Sequence, residues 1–482
     1  MLGGVDWLDK ITQFWPHLAA GFNFLAVLFA SVHVLLHKRD PRAATLWIGI
    51  IWLLPLFGTV LYLTLGFNRI RRRALSLGVH GTFARPDPDC LGELSPSAAA
   101  HLKMLASVVN RVTARPLLAG NGIHVLVNGD EAFPAMLAAI ESAQRSISLT
   151  TYIFDNDPTG QQFANALGQA VARGVEVRVL IDAAGARYSW PPITRQLKHR
   201  DVTVARFLPS LMPWSVTTIN LRSHRKALIV DGCLAFAGGM NIRHGNRLAA
   251  QPASPVQDLH FRVEGPVVSQ LQEAFANDWA FTTREVLDGA IWFPQLTECG
   301  EVVARAITDG PDADLGKMHW TLLAALGAAQ TSVQILTPYF LPDLVLTSAL
   351  NFAALRGVRV DIILTGKNNL PFVYWASRAM WWQVLERGCR IWLTPPPFDH
   401  SKLTVVDSQW VLFGSSNWDA RSLRLNFELD VECYGRDFAR VMTAVIEKKM
   451  SNAREVTLAE ADGRTTPTKL RDAVARLFSP YL

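Results

Sequence analysis

Two long apolar blocks, His17 to Leu36 and Ala43 to Phe67, stand near the start of the chain, separated by the short polar turn His37-Lys38-Arg39-Asp40-Pro41-Arg42. Each block is long and apolar enough to span a bilayer, and neither shows a clear amphipathic stripe. A cleaved leader does not account for two such segments, so residues 1–73 are expected to form a transmembrane helical hairpin. Residues 74–120, with Pro86, Pro88 and Pro96, read as a linker followed by a short helix. Beyond them the polarity pattern changes: helical periodicity alternates with β-rich runs, which predicts an α/β architecture.

That alternation is duplicated. Ala143-Gln144-Arg145-Ser146-Ile147-Ser148-Leu149 matches Ala329-Gln330-Thr331-Ser332-Val333-Gln334-Ile335, each after a helical pattern and before strand residues ending in Tyr-Ile-Phe or Tyr-Phe. Farther on, Ala172-Arg173-Gly174 and Leu355-Arg356-Gly357 each end a helix ahead of a β-rich run. The chain therefore divides into repeats at 121–290 and 300–482.

Each repeat carries one copy of a short pattern: His224-Arg225-Lys226-x4-Asp231-x6-Gly238-Gly239-Met240-Asn241, and His400-Ser401-Lys402-x4-Asp407-x6-Gly414-Ser415-Ser416-Asn417. One His-x-Lys-x4-Asp is a weak signal, but two copies with the same downstream Gly-x-x-Asn leave accident negligible. Side chains alternate along a strand, so each His and Lys share a face. An apolar run, a turn at Asp231-Gly232 or Asp407-Ser408, and a second apolar run predict a β-hairpin. Folding it back brings His, Lys and Asn together at the open end. The Asp is left about 20–25 Å away at about 3.3 Å per residue, which makes it a turn or salt-bridge residue.

Two His, two Lys and two Asn amides suit a phosphodiester. Lys226, Lys402, Asn241 and Asn417 can stabilise its non-bridging oxygens, while one imidazole attacks phosphorus and the other shuttles the proton of the alcohol. The scheme requires no metal or other cofactor. Each half supplies one His and one Lys, so the site is expected between the halves.

On these motifs the chain resembles the phospholipase D superfamily and, more narrowly, the bacterial cardiolipin synthase family. The narrower resemblance includes Val127-Asn128-Gly129-Asp130-Glu131-Ala132-Phe133, Tyr152-Ile153-Phe154-Asp155-Asn156-Asp157 and Thr337-Pro338-Tyr339-Phe340-Leu341-Pro342-Asp343. It also takes in Asn417-Trp418-Asp419-Ala420-Arg421-Ser422-Leu423 and Asn426-Phe427-Glu428. It implies two phospholipase D-like repeats forming one catalytic unit, and a phosphatidyl transferase that joins two phosphatidylglycerols into cardiolipin and glycerol through a phosphatidyl-histidine. Which His is the nucleophile stays open, with the resemblance favouring His224. The superfamily signature includes Asp231 and Asp407, and the resemblance also implies an acid orienting each His. Glu428 is the candidate in the second half. Asp258 is the candidate in the first, because Asp258 to Gly265 and Glu428 to Gly435 have equal lengths. Water in place of the acceptor alcohol would make the enzyme a phospholipase or nuclease, and a nuclease has no need of a membrane hairpin.

Composition adds little. A formal net charge of +6 over 482 residues suits an anionic surface or nucleic acid, and the apolar hairpin favours the lipid. Arg69, Arg71, Arg72 and Arg73 put the catalytic region on the cytoplasmic side of a bacterial inner membrane, whereas the basic turn at 37–42 argues the other way. Cys90, Cys233, Cys299, Cys389 and Cys433 show no metal-binding spacing or paired framework, as in a reducing compartment. In Phe372 to Leu385, Tyr374 with Trp381 and Trp375 with Trp382 recur at seven residues, which gives one helical face of aromatics for lipid or for the core.

Overall fold

The computed structural model describes residues 6–38, 41–66, 94, 100–209, 221–311 and 314–479. The chain forms two compact units, Met1–Arg73 with Ser210–Asn220, and Ala74–Pro209 with Leu221–Leu482.

In the first unit, a 32-residue helix, Asp6–His37, contains the first apolar block. Its stretch Phe14–His37 is the one helix among the described residues long and apolar enough to cross a membrane. The second block is not one helix. It breaks into Pro41–Leu53, Pro55–Leu61 and a π-helical turn Tyr62–Gly66. Pro55 has no N–H to continue the ladder, and a 13-residue helix rises only about 20 Å against a hydrocarbon core of roughly 30 Å. Val27, Ala30 and Val34 share a small buried cluster with Ile51 and Tyr62. Arg39, Asp40, Phe67, Arg69, Arg71–Arg73, Pro86, Pro88, Cys90 and Pro96 lie outside the described residues.

The second unit is built on one sheet, sixteen-stranded among the described residues, with fifteen strands in one order and Arg222–Ser223 pairing Asn426–Tyr434 off it. From one edge the first half contributes Thr203–Phe207, Glu176–Asp182, Ser146–Thr151, Ala227–Val230, Leu234–Gly238, Leu259–Glu264 and Leu118–Val127. The second half continues with Val302–Asp309, Asn426–Tyr434, Trp410–Gly414, Leu403–Val406, Ser332–Leu336, Arg359–Thr365, Arg390–Thr394 and Arg454–Val456. The halves meet where Leu118–Val127 runs antiparallel to Val302–Asp309, with Leu118 opposite Ala304. On either side of this seam the order of equivalent strands repeats in mirror sequence, which is the duplication expressed as topology.

Local chemistry repeats with it. The crossover helices Pro158–Ala172 and Leu344–Leu355 are capped by Asp157, whose carboxylate accepts from Gly160 N, and Asp343, which accepts from Leu346 N. They link parallel strand pairs, as right-handed β-α-β units do. The hairpins form where expected, each closed by a three-residue loop whose first two residues have positive φ: Asp231 and Gly232 in the first, Asp407 and Ser408 in the second. The helix Ala100–Thr113 belongs to the core: Leu102, Leu105 and Val109 bury in one cluster with Met318 and Leu322.

The aromatic stretch departs from expectation. It is two short helices, Pro371–Arg378 and Trp381–Leu385, with Trp381 buried and its Nε1 donating to Ser377 Oγ at 3.0 Å. Trp382 is 40 % exposed, so the rings do not share one face. Cys233, Cys299, Cys389 and Cys433 are all free thiols.

Candidate active site

The open ends of the two hairpins converge in the second unit. The imidazoles of His224 and His400 lie 6.4 Å apart, centroid to centroid, at 78°. His224 Nδ1 is 3.0 Å from Glu428 Oε2 and 3.0 Å from the Ser415 carbonyl oxygen. Both neighbours are acceptors, so Nδ1 carries the hydrogen and Nε2 is left for substrate. His400 Nδ1 is 2.8 Å from Asp258 Oδ2, a matching arrangement. The His side chains keep 12 % exposure, while Glu428 and Asp258 are at 0 % and 1 %. The acids are sealed and the imidazoles reach out.

The acids therefore pair across the repeat boundary, which corrects the pairing expected within each half. The backbone explains the crossing. Arg222–Ser223 pairs in parallel with Asn426–Phe427 and His224 N donates to Phe427 O at 2.8 Å, so the first motif is laid along the strand that carries Glu428. Reciprocally, Phe398–Asp399 pairs with Val256–Gln257 and His400 N donates to Gln257 O at 2.8 Å, next to Asp258.

Lys226 and Lys402 are buried in the same cluster, each ammonium donating to the carbonyl of its own motif's His at 2.5 Å. Burial pushes the Lys226 ammonium down to about 7, aided by the charge of Lys402 and opposed by Glu428 and Asp258. Burial likewise lowers Lys402 to about 8. Burial holds both imidazoles below their ordinary value, with Lys226 and Lys402 adding repulsion to each; Glu428 offsets part of this at His224, and His400 lies well below. Burial would raise Glu428, but His224, Lys226 and the Ser415 hydroxyl hold it below the usual carboxylate range, while Asp258 is pushed up by burial. Glu428 is thus the more firmly ionised of the two acids.

Asn241 and Asn417 are buried beside the hairpin ends. Asn241 Oδ1 accepts from Ile153 N at 3.0 Å, and Asn417 Nδ2 donates to Ser422 Oγ at 3.2 Å. The glycine that opens each Gly-x-x-Asn is forced by close approach: a Cβ on Gly238 would sit 2.8 Å from His260 Nδ1, and one on Gly414 2.5 Å from the Cα of Asp430. Asp231 and Asp407 are remote from the imidazoles along their strands. The Asp231 carboxylate accepts from the backbone N–H groups of Gln144, Arg145 and Ser146, and Asp407 accepts from those of Gln330, Thr331 and Ser332. Both fasten the hairpin turn to the start of the neighbouring strand. Among the described residues no group of three or more His, Cys, Asp or Glu is disposed to hold a metal.

Sequence reasoning missed several neighbours. Tyr152 lies 5.4 Å from the His224 ring with Lys226 5.6 Å from its centroid, and Tyr339 lies 6.5 Å from the His400 ring. Their equivalent places in the duplicated Tyr-Ile-Phe and Tyr-Phe segments were the available signal. Ser415 donates through Oγ to Glu428, and Asn426 Nδ2 donates to its other oxygen at 3.0 Å. Ser415 lies within the second Gly-x-x-Asn and Asn426 two residues before Glu428, yet neither place marks a partner of the carboxylate.

A duplicated His-x-Lys pair closed into one site by crossed carboxylates defines a phospholipase D-like enzyme. The match to known proteins is narrower. A family described as cardiolipin synthase, PLD-like domain, matches residues 136–279 and 322–450, and one described as phospholipase D-nuclease N-terminal matches 25–66. The chain belongs to the phospholipase D-like cardiolipin synthase family. It is 31 % identical to cardiolipin synthase A of Pseudomonas syringae pv. syringae (strain B728a), over 96 % of this chain and 97 % of that one. It is 29 % identical to the cardiolipin synthase of Listeria monocytogenes serotype 4a (strain HCC23), over 95 % and 97 %. The crystal structure of phosphatidylserine synthase from Haemophilus influenzae Rd KW20 shares the fold, with a TM-score of 0.61 at 15 % identity over 78 % of this chain and all of that one.

Proposed function

We propose that this protein is a cardiolipin synthase, a phosphatidyl transferase that condenses two phosphatidylglycerols into cardiolipin and glycerol. The observation that carries the reading is the pair of imidazoles 6.4 Å apart, each with a carboxylate on Nδ1 and a buried lysine beside it. His224 Nε2 attacks phosphorus of the first phosphatidylglycerol. The P–O bond to glycerol breaks, and His400, which enters this step as the imidazolium that Asp258 stabilises, gives its Nε2 proton to the departing alkoxide. The phosphatidyl group then sits on His224. A hydroxyl of the second phosphatidylglycerol loses its proton to His400 and attacks phosphorus, which restores His224 and releases cardiolipin.

Lys226 and Lys402, with an amide N–H from each of Asn241 and Asn417, hold the non-bridging oxygens as charge moves onto them. Glu428 and Asp258 fix the Nδ1–H tautomers and stabilise the imidazolium forms. Asp231 and Asp407 serve the fold of the hairpins. Repeats 121–290 and 300–482 act as one catalytic unit, and residues 1–73 anchor it in a bacterial inner membrane as a hairpin of apolar helices. Arg69 and Arg71–Arg73 favour a cytoplasmic catalytic region.

The purified full chain in detergent, given defined phosphatidylglycerol and followed by mass spectrometry, is expected to yield cardiolipin and glycerol in equal amounts. Phosphatidic acid as the sole lipid product would make the protein a hydrolase instead.

A further inference from the structure

The last helix of the second unit, Thr466–Arg476, is inside out. Its buried residues are Asp472 and Ala475, and the Asp472 carboxylate is held by Arg378, Arg464 and Arg471. The larger apolar residues on it and just past its end face away. Leu470 is 66 % exposed and Leu477 73 %, with Val474 and Phe478 also exposed. The spacing i, i+4, i+7, i+8 sets these four along one stripe. The exposed cations Lys469, Arg471 and Arg476 border it.

Neighbouring contacts run from this stripe toward His400. Phe478 lies 5.5 Å from Phe372, and Phe372 follows the exposed segment Lys367, Asn369 and Leu370. Asn369 Oδ1 accepts from Tyr339 Oη at 2.8 Å, and the Tyr339 ring packs beside His400. Apolar side chains bordered by lysine and arginine match an anionic lipid interface, where rings and aliphatic chains sink to the acyl boundary and cations stay with the headgroups.

We propose that this C-terminal helix and the loop 366–372 dock on an anionic bilayer surface and hold the His400 side of the site against the headgroups. The occupant is a lipid surface, in keeping with the phosphatidyl transferase reading on which the proposal rests. The surface adds no chemistry; it raises the local concentration of lipid substrate at the site.

The N-terminal apolar helix is expected to hold every variant on vesicles, so binding itself is uninformative. The test uses the full chain in phosphatidylglycerol–phosphatidylethanolamine vesicles, with the photoreactive residue p-benzoylphenylalanine in place of Leu477. Irradiation should attach phospholipid to the peptide that carries position 477. No lipid adduct, or a cross-link to a second copy of the chain, would overturn the proposal. This readout is independent of turnover, so a failure to make cardiolipin would strike the proposed function and leave the docking result to be judged separately. The double variant Leu470→Asp/Leu477→Asp should raise KM for vesicular phosphatidylglycerol about tenfold or more. Its turnover of dispersed short-chain phosphatidylglycerol should stay within about twofold of wild type. Equal losses on both substrates would assign these residues to folding, and unchanged KM on vesicles would also contradict docking.

Discussion

Two lysines held near neutrality give the site a pH signature. Below about 7 both ammonium groups are charged in the empty site; Lys226 loses its proton as the pH rises through about 7, and Lys402 through about 8. The charge that meets the phosphate is lost in that order, so kcat/KM should fall on the alkaline side from about pH 7 upward. A bound phosphate anion favours the charged forms, so kcat should hold to higher pH. Rate profiles between about pH 6 and 9.5 check this, and a kcat/KM flat across that range would contradict it. Lys226→Ala or Lys402→Ala should each cost about 2–4 kcal/mol of transition-state stabilisation, as loss of an oxyanion donor does. The crossed acids make a second, sharper prediction. Glu428→Gln should impair attack by His224 and so slow formation of the covalent adduct. Asp258→Asn should impair proton delivery by His400 and spare adduct formation from a substrate with a good leaving group, while net turnover falls about a hundredfold. Pairing within each half would give the reverse phenotypes.

The hairpins are the elements on which the site depends, and their turns are fastened by Asp231 and Asp407. Each carboxylate accepts from three consecutive backbone N–H groups. Replacing either by Ala should destabilise the protein by about 1–3 kcal/mol, seen as a lower Tm, with the kcat of the folded fraction kept. A lost kcat at unchanged Tm would return these residues to the chemistry. Much of this was legible in the chain: period-2 alternation places His and Lys on one face, and the Asp turns and the Arg-Gly helix ends were found where expected. The partner of each His was not. Asp258 and Glu428 each stand seven residues before a Gly, Gly265 and Gly435, in duplicated halves, so pairing within a half and pairing across halves look alike until Arg222–Ser223 and Phe398–Asp399 are seen to join the other half's strand. The second apolar block was misjudged for a local reason: hydropathy counted Pro55 as one more position, whereas its missing N–H ends the helix.

At the scale of the whole molecule, residues 1–73 are proposed as an anchor for a catalytic unit whose site draws on both repeats. Deleting residues 1–73 should release the protein from membranes and reduce turnover on bilayers far more than on dispersed short-chain lipid, because the anchor supplies proximity and not chemistry. Equal loss on both substrates would make that segment part of the catalytic fold. One site, assembled across the repeat boundary, is proposed to carry a phosphatidyl group on one imidazole while the other moves the proton. The most direct measurement is to denature the enzyme during turnover of phosphate-labelled phosphatidylglycerol and map the label by peptide mass spectrometry. A phosphatidyl group is expected on His224, retained in His400→Ala with a substrate bearing a good leaving group and absent in His224→Ala. A label on His400 that persists in His224→Ala would reverse the roles, and cardiolipin formed with no label on either histidine would contradict the covalent mechanism.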